Sequence, residues 1–176
     1  QPLFNVLNGG KHARHGIDVQ ECMLAPISFT TIKERVDAAS SCVSILKEML
    51  VSNHLSVDIG DEGGFAPALT SNDAALDLLV EAIVKAGFEG RIKIALDVAA
   101  SSFYTGGKYT LKAGGEQIVS SNEMLAWYES VVQKYPIISI EDGYAEDDVD
   151  GFAHMTAALG KRICVVGDDL TVTNTK

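Results

Sequence analysis

The chain has 176 residues, of which 47% are hydrophobic, and this size and composition suit one globular α/β domain with a sizeable core. Its 24 acids outnumber its 14 Lys and Arg residues, for a formal net charge of −10, and no stretch combines clustered bases with aromatic residues. We therefore expect no nucleic acid partner, and no membrane partner either, because no apolar run approaches the ~20 residues that cross a bilayer.

Two strands are predicted at the start of the chain. The first begins at Leu3 and meets the turn Asn8-Gly9-Gly10, and the second begins at Glu21. His12 and His15 lie in the loop between them, where either one alone would ordinarily have a structural or solvent-exposed role. Glu21 is more informative, because an acid that enters an apolar strand needs a partner or a functional reason to be there.

Two amphipathic helices are predicted next. Apolar residues recur at three-and-four spacing from Thr30 to about Asn53, and again from an N-cap at Ser71 or Asn72 up to Gly87. The order is therefore two strands followed by two helices, before a regular alternation begins.

A glycine-rich segment, Gly-Asp-Glu-Gly-Gly-Phe-Ala-Pro from Gly60, separates the two helices. Its glycines permit positive φ angles and close approach of a ligand, so Glu62 could be presented at a pocket as a proton-transfer carboxylate. A tight surface turn rich in Gly and Asp would have the same composition. A phosphate-binding P-loop is excluded, because no Lys-Ser or Lys-Thr follows the glycines.

Strands then alternate with helices. We predict strands that end at Asp97, at Glu141 and just before Asp168, a hairpin around Gly106-Gly107, and helices over about 121–135 and 149–159. Five strands are counted in all, apart from the hairpin. This alternation predicts a parallel sheet that is covered on both faces or closed into a barrel.

Acids follow three of these strands. Asp97, Glu141 and Asp168, the last with Asp169 beside it, each come after a short apolar run. Carboxylates in such positions point out of the carboxyl end of a parallel sheet, so the three could share one site. Oxygen ligands from separate strands suit a hard cation such as Mg²⁺. Three solvated acidic loops remain the alternative.

The three cysteines are an odd number and show no CxxC spacing. Because each lies in an apolar context, we expect Cys22, Cys42 and Cys164 to be reduced core residues of an intracellular protein. No targeting signal is recognised. The chain starts with Gln1 rather than Met and stops at Lys176 just after an apparent strand, so we expect both ends to be cut.

Six motifs, in order and across nearly the whole chain, resemble the enolase family. They are Asn-Gly-Gly-Lys-His-Ala from Asn8, Gln-Glu from Gln20, the glycine-rich segment from Gly60, Asp-Val-Ala-Ala-Ser from Asp97, Ser-Ile-Glu-Asp from Ser139 and Gly-Asp-Asp-Leu-Thr-Val-Thr-Asn from Gly167. The resemblance implies an α/β fold, an incomplete enolase-type TIM barrel. Residues 1–176 would form part of the C-terminal barrel domain, with the N-terminal domain and the last barrel units absent.

The resemblance also implies an activity, that of a Mg²⁺-dependent hydro-lyase of glycolysis that reversibly dehydrates 2-phosphoglycerate to phosphoenolpyruvate. The implied metal ligands are Asp97, Glu141 and Asp168. Glu62 would assist departure of the substrate hydroxyl with Glu21 as its carboxylate partner, and His12 and Glu21 would bind substrate. A cytoplasmic protein is expected, homodimeric or a higher homo-oligomer when complete.

Some features depart from the family pattern. The family's base is a lysine beyond the last residue here, so no turnover is expected from this polypeptide alone. The sequence also departs from the family pattern in or directly after the motifs, at Lys11, Arg14, His15, Cys22, Gly143 and Thr175. One rival interpretation is an enolase-derived fragment that binds metal or a partner without catalysis.

A second rival is a receiver-like phosphoacceptor domain. Its paired acids follow the first strand, whereas Asp168 and Asp169 come last in this chain. This order disfavours the rival.

Overall fold

The computed structural model describes residues 1–12, 16–172 and 174. The secondary structure elements, in chain order, are β1 Phe4–Asn8, β2 Glu21–Pro26, α1 Ile32–Ser52, α2 Asn72–Lys85, β3 Ile92–Asp97, β4 Tyr104–Thr105, β5 Lys108–Leu111, β6 Gln117–Val119, α3 Ser121–Lys134, β7 Ile137–Glu141, α4 Val149–Leu159 and β8 Cys164–Val166. Short 3-10 turns occupy Gly10–His12 and Ala100–Phe103.

The helices begin where the sequence provides side-chain caps. Thr31 forms a capping box with Glu34 at the start of α1, and Ser120 forms the same motif with Glu123 at the start of α3. In each box the hydroxyl accepts the third backbone N–H while the glutamate accepts the N–H of the cap residue. Ser71 caps α2, so one of the two predicted caps is confirmed.

The five longer-range strands form a mixed sheet in the order β1-β2-β3-β7-β8. Neighbours β3, β7 and β8, the strands of the regular alternation, are parallel as predicted, whereas β2 is antiparallel to both β1 and β3. The reason is that two helices, not one, connect β2 to β3. The second helix brings the chain back to the end where β2 stopped, so that Pro26 lies opposite Ile92.

The predicted hairpin is confirmed and extends into a three-stranded meander, β4-β5-β6. Gly106 and Gly107, at φ +59° and +82°, provide the two left-handed residues that a tight hairpin turn requires. The third strand, β6, was not predicted.

The core lies between the sheet and the helices. Leu46 of α1 and Leu79 of α2 are buried with Leu96 and Ile140 of the sheet. A cluster of tyrosines joins the meander to α3: the ring of Tyr144 packs edge-on to Tyr109 and to Tyr128, with centroids 6.0 and 5.8 Å away. Such aromatic pairs contribute about 0.5–1.5 kcal/mol each beyond the area they bury. Because Tyr144 lies three residues after the end of β7, this cluster supports the connection that leads away from Glu141.

The cysteines are divided between interior and surface. Cys22 and Cys42 are buried, as predicted, but Cys164 is exposed, so its assignment to the core is wrong. Cys164 opens β8, which pairs on one side only with β7 among the described residues, so its side chain lacks the cover that a central strand receives. In the same part of the chain, residues 1–12, 16–172 and 174, none of the helices combines the length and the apolar character that a membrane crossing requires.

Candidate functional site

Three of the predicted carboxylates lie side by side on neighbouring strands. Glu21 is the first residue of β2, while Asp97 and Glu141 are the last residues of β3 and β7. The register pairs Glu21 with Asp97 and Asp97 with Glu141. All three therefore occupy one end of the sheet, the carboxyl end of its parallel strands. An antiparallel β2 is what brings the beginning of that strand, and with it Glu21, to this end.

Asp97 is held by neutral donors. Its Oδ1 accepts the N–H of Ala99 at 3.0 Å, and its Oδ2 accepts the side-chain amide of Gln20 at 3.2 Å. Burial and then the charge of Glu141 raise the pKa of Asp97 to about 7. No local pattern links Gln20 to Asp97, because the two residues lie 77 positions apart in the chain.

Glu141 lies between Asp97 and the turn that follows β8. Burial raises the pKa of Glu141 first, followed by the charges of Asp142, Asp168 and Asp169. These causes describe an acidic cluster whose charges repel one another inside a partly desolvated site.

Asp168 and Asp169 belong to that turn and are both exposed. The carbonyl of Asp168 accepts the N–H of Thr171 at 3.1 Å and of Val172 at 2.7 Å, which makes one tight turn of the backbone. In the described part of the chain no three His, Cys, Asp or Glu side chains converge closely enough to hold a metal ion. Asp97, Glu141 and Asp168 thus lie in one region of the molecule. Their carboxylates are not close enough together there to bind one ion.

The glycine-rich segment lies against β1. The N–H of Gly64 donates to Oδ1 of Asn8 at 2.8 Å, and the side chain of Asn5 donates to the carbonyl of Glu62 at 3.2 Å. The contact requires glycine, because a Cβ added to Gly64 would lie 2.8 Å from Asn8 Oδ1 and 3.0 Å from the backbone N of Leu7. The segment is therefore packed against the sheet, which an ordinary surface turn would not need.

This packing brings Glu62 to Glu21. Burial raises the pKa of Glu21 to about 8, and a hydrogen bond with Glu62 together with the charges of Glu62, Asp97 and Glu141 adds to the shift. Two carboxyl groups in contact favour retention of one proton between them. The raised pKa of Glu21 thus favours a carboxyl group that keeps its proton at neutral pH.

Asp142 is a residue of this region to which sequence reasoning assigned no role. It directly follows Glu141, is only 4% exposed, and has a left-handed φ of +43°. Burial raises its pKa, while the N–H of Asp169, which donates to Asp142 Oδ2 at 2.9 Å, opposes the shift. In the sequence, the feature that points to Asp142 is its position directly after Glu141, the acid that ends an apolar strand.

The remaining predictions concern the loop at the beginning of the chain and its last residues. The side chain of His12, and residues Arg14, His15 and Thr175, lie outside the described residues. Lys11 is exposed on the short 3-10 turn. The substrate-binding role of His12 therefore stays a prediction.

A separate cavity of about 380 Å³ lies at the other end of β3, with Ile83, Ile92, Lys93 and Pro136 in its lining. Ile92 begins the strand that Asp97 ends. The cavity is accordingly not part of the acidic cluster.

Comparison with known proteins agrees with this arrangement of motifs. The family model described as the enolase C-terminal TIM barrel domain matches residues 1–176. The chain is 50% identical to "Enolase 1" of Methylococcus capsulatus over 99% of its length and 42% of that protein. It is 51% identical to an enolase of Anaplasma phagocytophilum over 98% of its length and 40% of that protein. An enolase of Campylobacter lari is 47% identical over 98% of this chain and 41% of its own length.

The chain thus spans about two fifths of the length of these curated relatives. Its mixed sheet, with one antiparallel strand before parallel β3, β7 and β8, is part of a barrel of this type. The chain belongs to the enolase family, and it matches the C-terminal TIM barrel domain of that family.

Proposed function

We propose that this chain supplies the acidic half of an enolase active site, in a hydro-lyase of glycolysis that reversibly converts 2-phosphoglycerate to phosphoenolpyruvate and water. The observation that carries the proposal is the contact between Glu21 and Glu62 beside Asp97 and Glu141. It joins a carboxyl group that keeps its proton near neutral pH to a cluster of carboxylates suited to a cation. Dehydration of a hydroxy acid needs both functions.

A divalent cation fits the donor set. Asp97, Glu141 and Asp168 offer only carboxylate oxygens, the ligand type that Mg²⁺ prefers. Burial first, and then the charge of neighbouring acids, raises the pKa of both Asp97 and Glu141, and a bound cation would offset that repulsion. When bound, Mg²⁺ would neutralise charge that develops on the substrate's own carboxylate. Because the three groups do not converge in the described geometry, binding requires side chains or the turn after β8 to adjust.

The carboxyl groups of Glu21 and Glu62 suggest how protons move in the reaction. We assign removal of the proton on carbon 2 of the substrate to a lysine base, by resemblance to the family. The hydroxyl on carbon 3 then leaves as water, and Glu62 passes to it the proton that Glu21 and Glu62 share through their hydrogen bond. In the reverse direction Glu62 takes a proton from the attacking water. A general acid of this kind contributes about 10²–10⁴-fold to a rate.

The same proposal includes three further points. His12 and Glu21 contact the substrate, the complete protein forms a homodimer or higher assembly, and its location is cytoplasmic. Membership of the enolase family is what supports them.

The direct test follows formation of phosphoenolpyruvate by the intact protein with Mg²⁺. Glu62→Gln and Asp168→Asn should each lower kcat by about 10² or more, because one removes the donated proton and the other a cation ligand. Glu48→Gln, at an exposed acid of α1, is the matched control and should keep the rate. Full activity in both site variants contradicts the proposal.

The same measurements distinguish this function from the rival interpretation, a protein that binds metal without catalysis. An intact protein that binds Mg²⁺ through Asp97 and Glu141 but forms no phosphoenolpyruvate would be a metal-binding member of the family without catalysis. Calorimetry with Asp97→Asn establishes whether that binding uses the site.

A further inference from the structure

Asp142 occupies an unfavourable position. It is 4% exposed, and its φ of +43° lies in the left-handed region that non-glycine residues rarely adopt. Its Oδ1 is buried and has no hydrogen-bond partner among the described residues. A carboxylate that is buried beside other acids, with one oxygen unsatisfied, costs free energy, so its position calls for a compensating role.

The hydrogen bonds of Asp142 reach two further connections at the carboxyl end of the sheet. Its N–H donates to the carbonyl of Val166 at 3.0 Å, and its carbonyl accepts the N–H of Ala100 at 3.0 Å. Its Oδ2 accepts the N–H of Asp169 at 2.9 Å. One residue is thus bonded to the segment after β3 and to the segment after β8, while it begins the segment after β7.

Each of these three connections has one of the proposed cation ligands in it or directly before it. Asp97 lies three residues before Ala100, Glu141 directly precedes Asp142, and Asp168 directly precedes Asp169. The two backbone bonds would survive any substitution that keeps the backbone in place. The bond to Asp169 is different, because it is made by the side chain and holds the one ligand that is not on a strand.

We propose that Asp142 is a positioning residue for the cation site, and that its carboxylate holds the turn of Asp168 against the ends of β3 and β7. The inference rests on the proposed function, since it takes Asp97, Glu141 and Asp168 as ligands of one ion. Groups that orient metal ligands from outside the ligand set typically change metal affinity by about 10–100-fold when they are removed.

Two substitutions in the intact protein distinguish the effect of the Asp142 carboxylate from that of the backbone conformation at this position. Asp142→Gly removes the carboxylate and tolerates the positive φ without strain. Asp142→Asn keeps an oxygen that can accept the N–H of Asp169, and asparagine also tolerates this φ. Affinity for Mg²⁺ is measured by titration calorimetry, and hydrogen exchange of the Asp169 amide is measured without metal.

We expect Asp142→Gly to weaken Mg²⁺ binding by about 10-fold or more and to speed exchange at Asp169. Asp142→Asn should stay within a few-fold of the unchanged protein and keep the amide protected. Asp18→Ala is the matched control: Asp18 is also buried and accepts the N–H groups of Lys112 and Ala113, so its loss destabilises the fold away from the ligand-bearing connections. Its Mg²⁺ affinity should not change.

Unchanged Mg²⁺ affinity in Asp142→Gly overturns the inference. So does an Asp142→Asn protein that keeps Asp169 protected and still loses affinity 10-fold, since the charge and not the hydrogen bond would then matter. This second result remains decisive if the glycine variant fails to fold. A failure of the proposed function has a different signature and needs no Asp142 variant. In that case the unchanged protein would bind no Mg²⁺, or Asp97→Asn would bind it equally well, and the inference about Asp142 would then also be wrong.

Discussion

The carboxyl group of Glu21 hydrogen-bonds to that of Glu62, although the two residues belong to a strand and to a glycine-rich loop with all of α1 between them. Glu21 is also opposite Asp97 in the register of β2 and β3. One carboxyl group therefore connects the proton-donating part of the site to its cation-binding part.

The first prediction concerns the pH dependence of stability without metal. The pKa of Glu21 is raised from 4.5 to about 8 in the folded state, so between these values the folded protein holds a proton that the unfolded chain has lost. The resulting stabilisation is complete below about pH 4.5 and is lost as pH rises through 8. Glu21→Gln, which cannot titrate, should show a smaller loss of unfolding free energy from pH 5 to 8.

Urea unfolding in a chelator at several pH values provides the measurement. Asp97, with its pKa raised to about 7, adds a loss of the same sign, so the informative quantity is the difference between the slopes of the two proteins. Glu48→Gln should reproduce the slope of the unchanged protein. Identical slopes for Glu21→Gln and the unchanged protein would contradict a raised pKa at Glu21.

The second prediction concerns Mg²⁺ and pH. Cation binding requires charged carboxylates, and burial together with neighbouring charge raises the pKa of both Asp97 and Glu141. Binding must therefore displace protons, and the increase in Tm that Mg²⁺ produces should be larger at pH 8 than at pH 6.

Thermal melts of the intact protein measure this effect, with NaCl at the same ionic strength as the control for screening. Asp97→Asn should abolish the Mg²⁺-specific increase. An increase that is equal at both pH values, or that survives in Asp97→Asn, would place the bound ion elsewhere.

The third prediction tests the packing of the glycine-rich loop. In Gly64→Ala the new Cβ would meet the backbone of β1 and Asn8 Oδ1, which cannot easily move away, and the 2.8 Å hydrogen bond from Gly64 would be disturbed. We expect a loss of about 1–3 kcal/mol in unfolding free energy and a lower kcat, because Glu62 would shift from Glu21.

Gly143→Ala is the comparison for that change. Its Cβ would lie 3.1 Å from Ile140 Cγ2 and from Met155 Cε, the ends of side chains that can adjust. Its effect on stability should be smaller. If both variants unfold at the same urea concentration, close approach to the backbone is not what requires glycine in the loop.

The fourth prediction separates fold stability from the site. Tyr109 is fully buried, and its hydroxyl donates to Asp148 at 2.7 Å and accepts the N–H of Ala145 at 3.1 Å. Tyr109→Phe leaves that N–H without its partner, so about 1–3 kcal/mol of unfolding free energy should be lost while Mg²⁺ affinity is retained.

Tyr104→Phe is the control, because the ring of Tyr104 packs 4.7 Å from that of Tyr109 and its hydroxyl makes no comparable bond among the described residues. It should be close to neutral. A change in Mg²⁺ affinity in Tyr109→Phe would show that this tyrosine cluster is coupled to the acidic site.

The local elements of this protein were readable from the sequence. The helix α4 was predicted over the range that it occupies, Val149–Leu159, and α1 ends within a residue or two of its predicted limits. Such boundaries depend on neighbours in the chain: Thr31 and Glu34 are three residues apart, and their capping box forms wherever the helix does. The acids after apolar runs were visible for the same reason.

The tertiary structure decided relations between distant residues that no local pattern shows. It made β2 antiparallel, exposed Cys164 and bonded Asp142 to Asp169, and it brought Glu62 to Glu21, a pair that only the family resemblance implied. Hydrophobic periodicity cannot distinguish these outcomes, because it reports which face of an element is buried and carries no information about which element covers that face. The sequence alone thus indicated the elements and the acids that end the strands. The shared proton of Glu21 and Glu62, and the hydrogen bond from Asp169 to Asp142, depend on contacts that only folding creates.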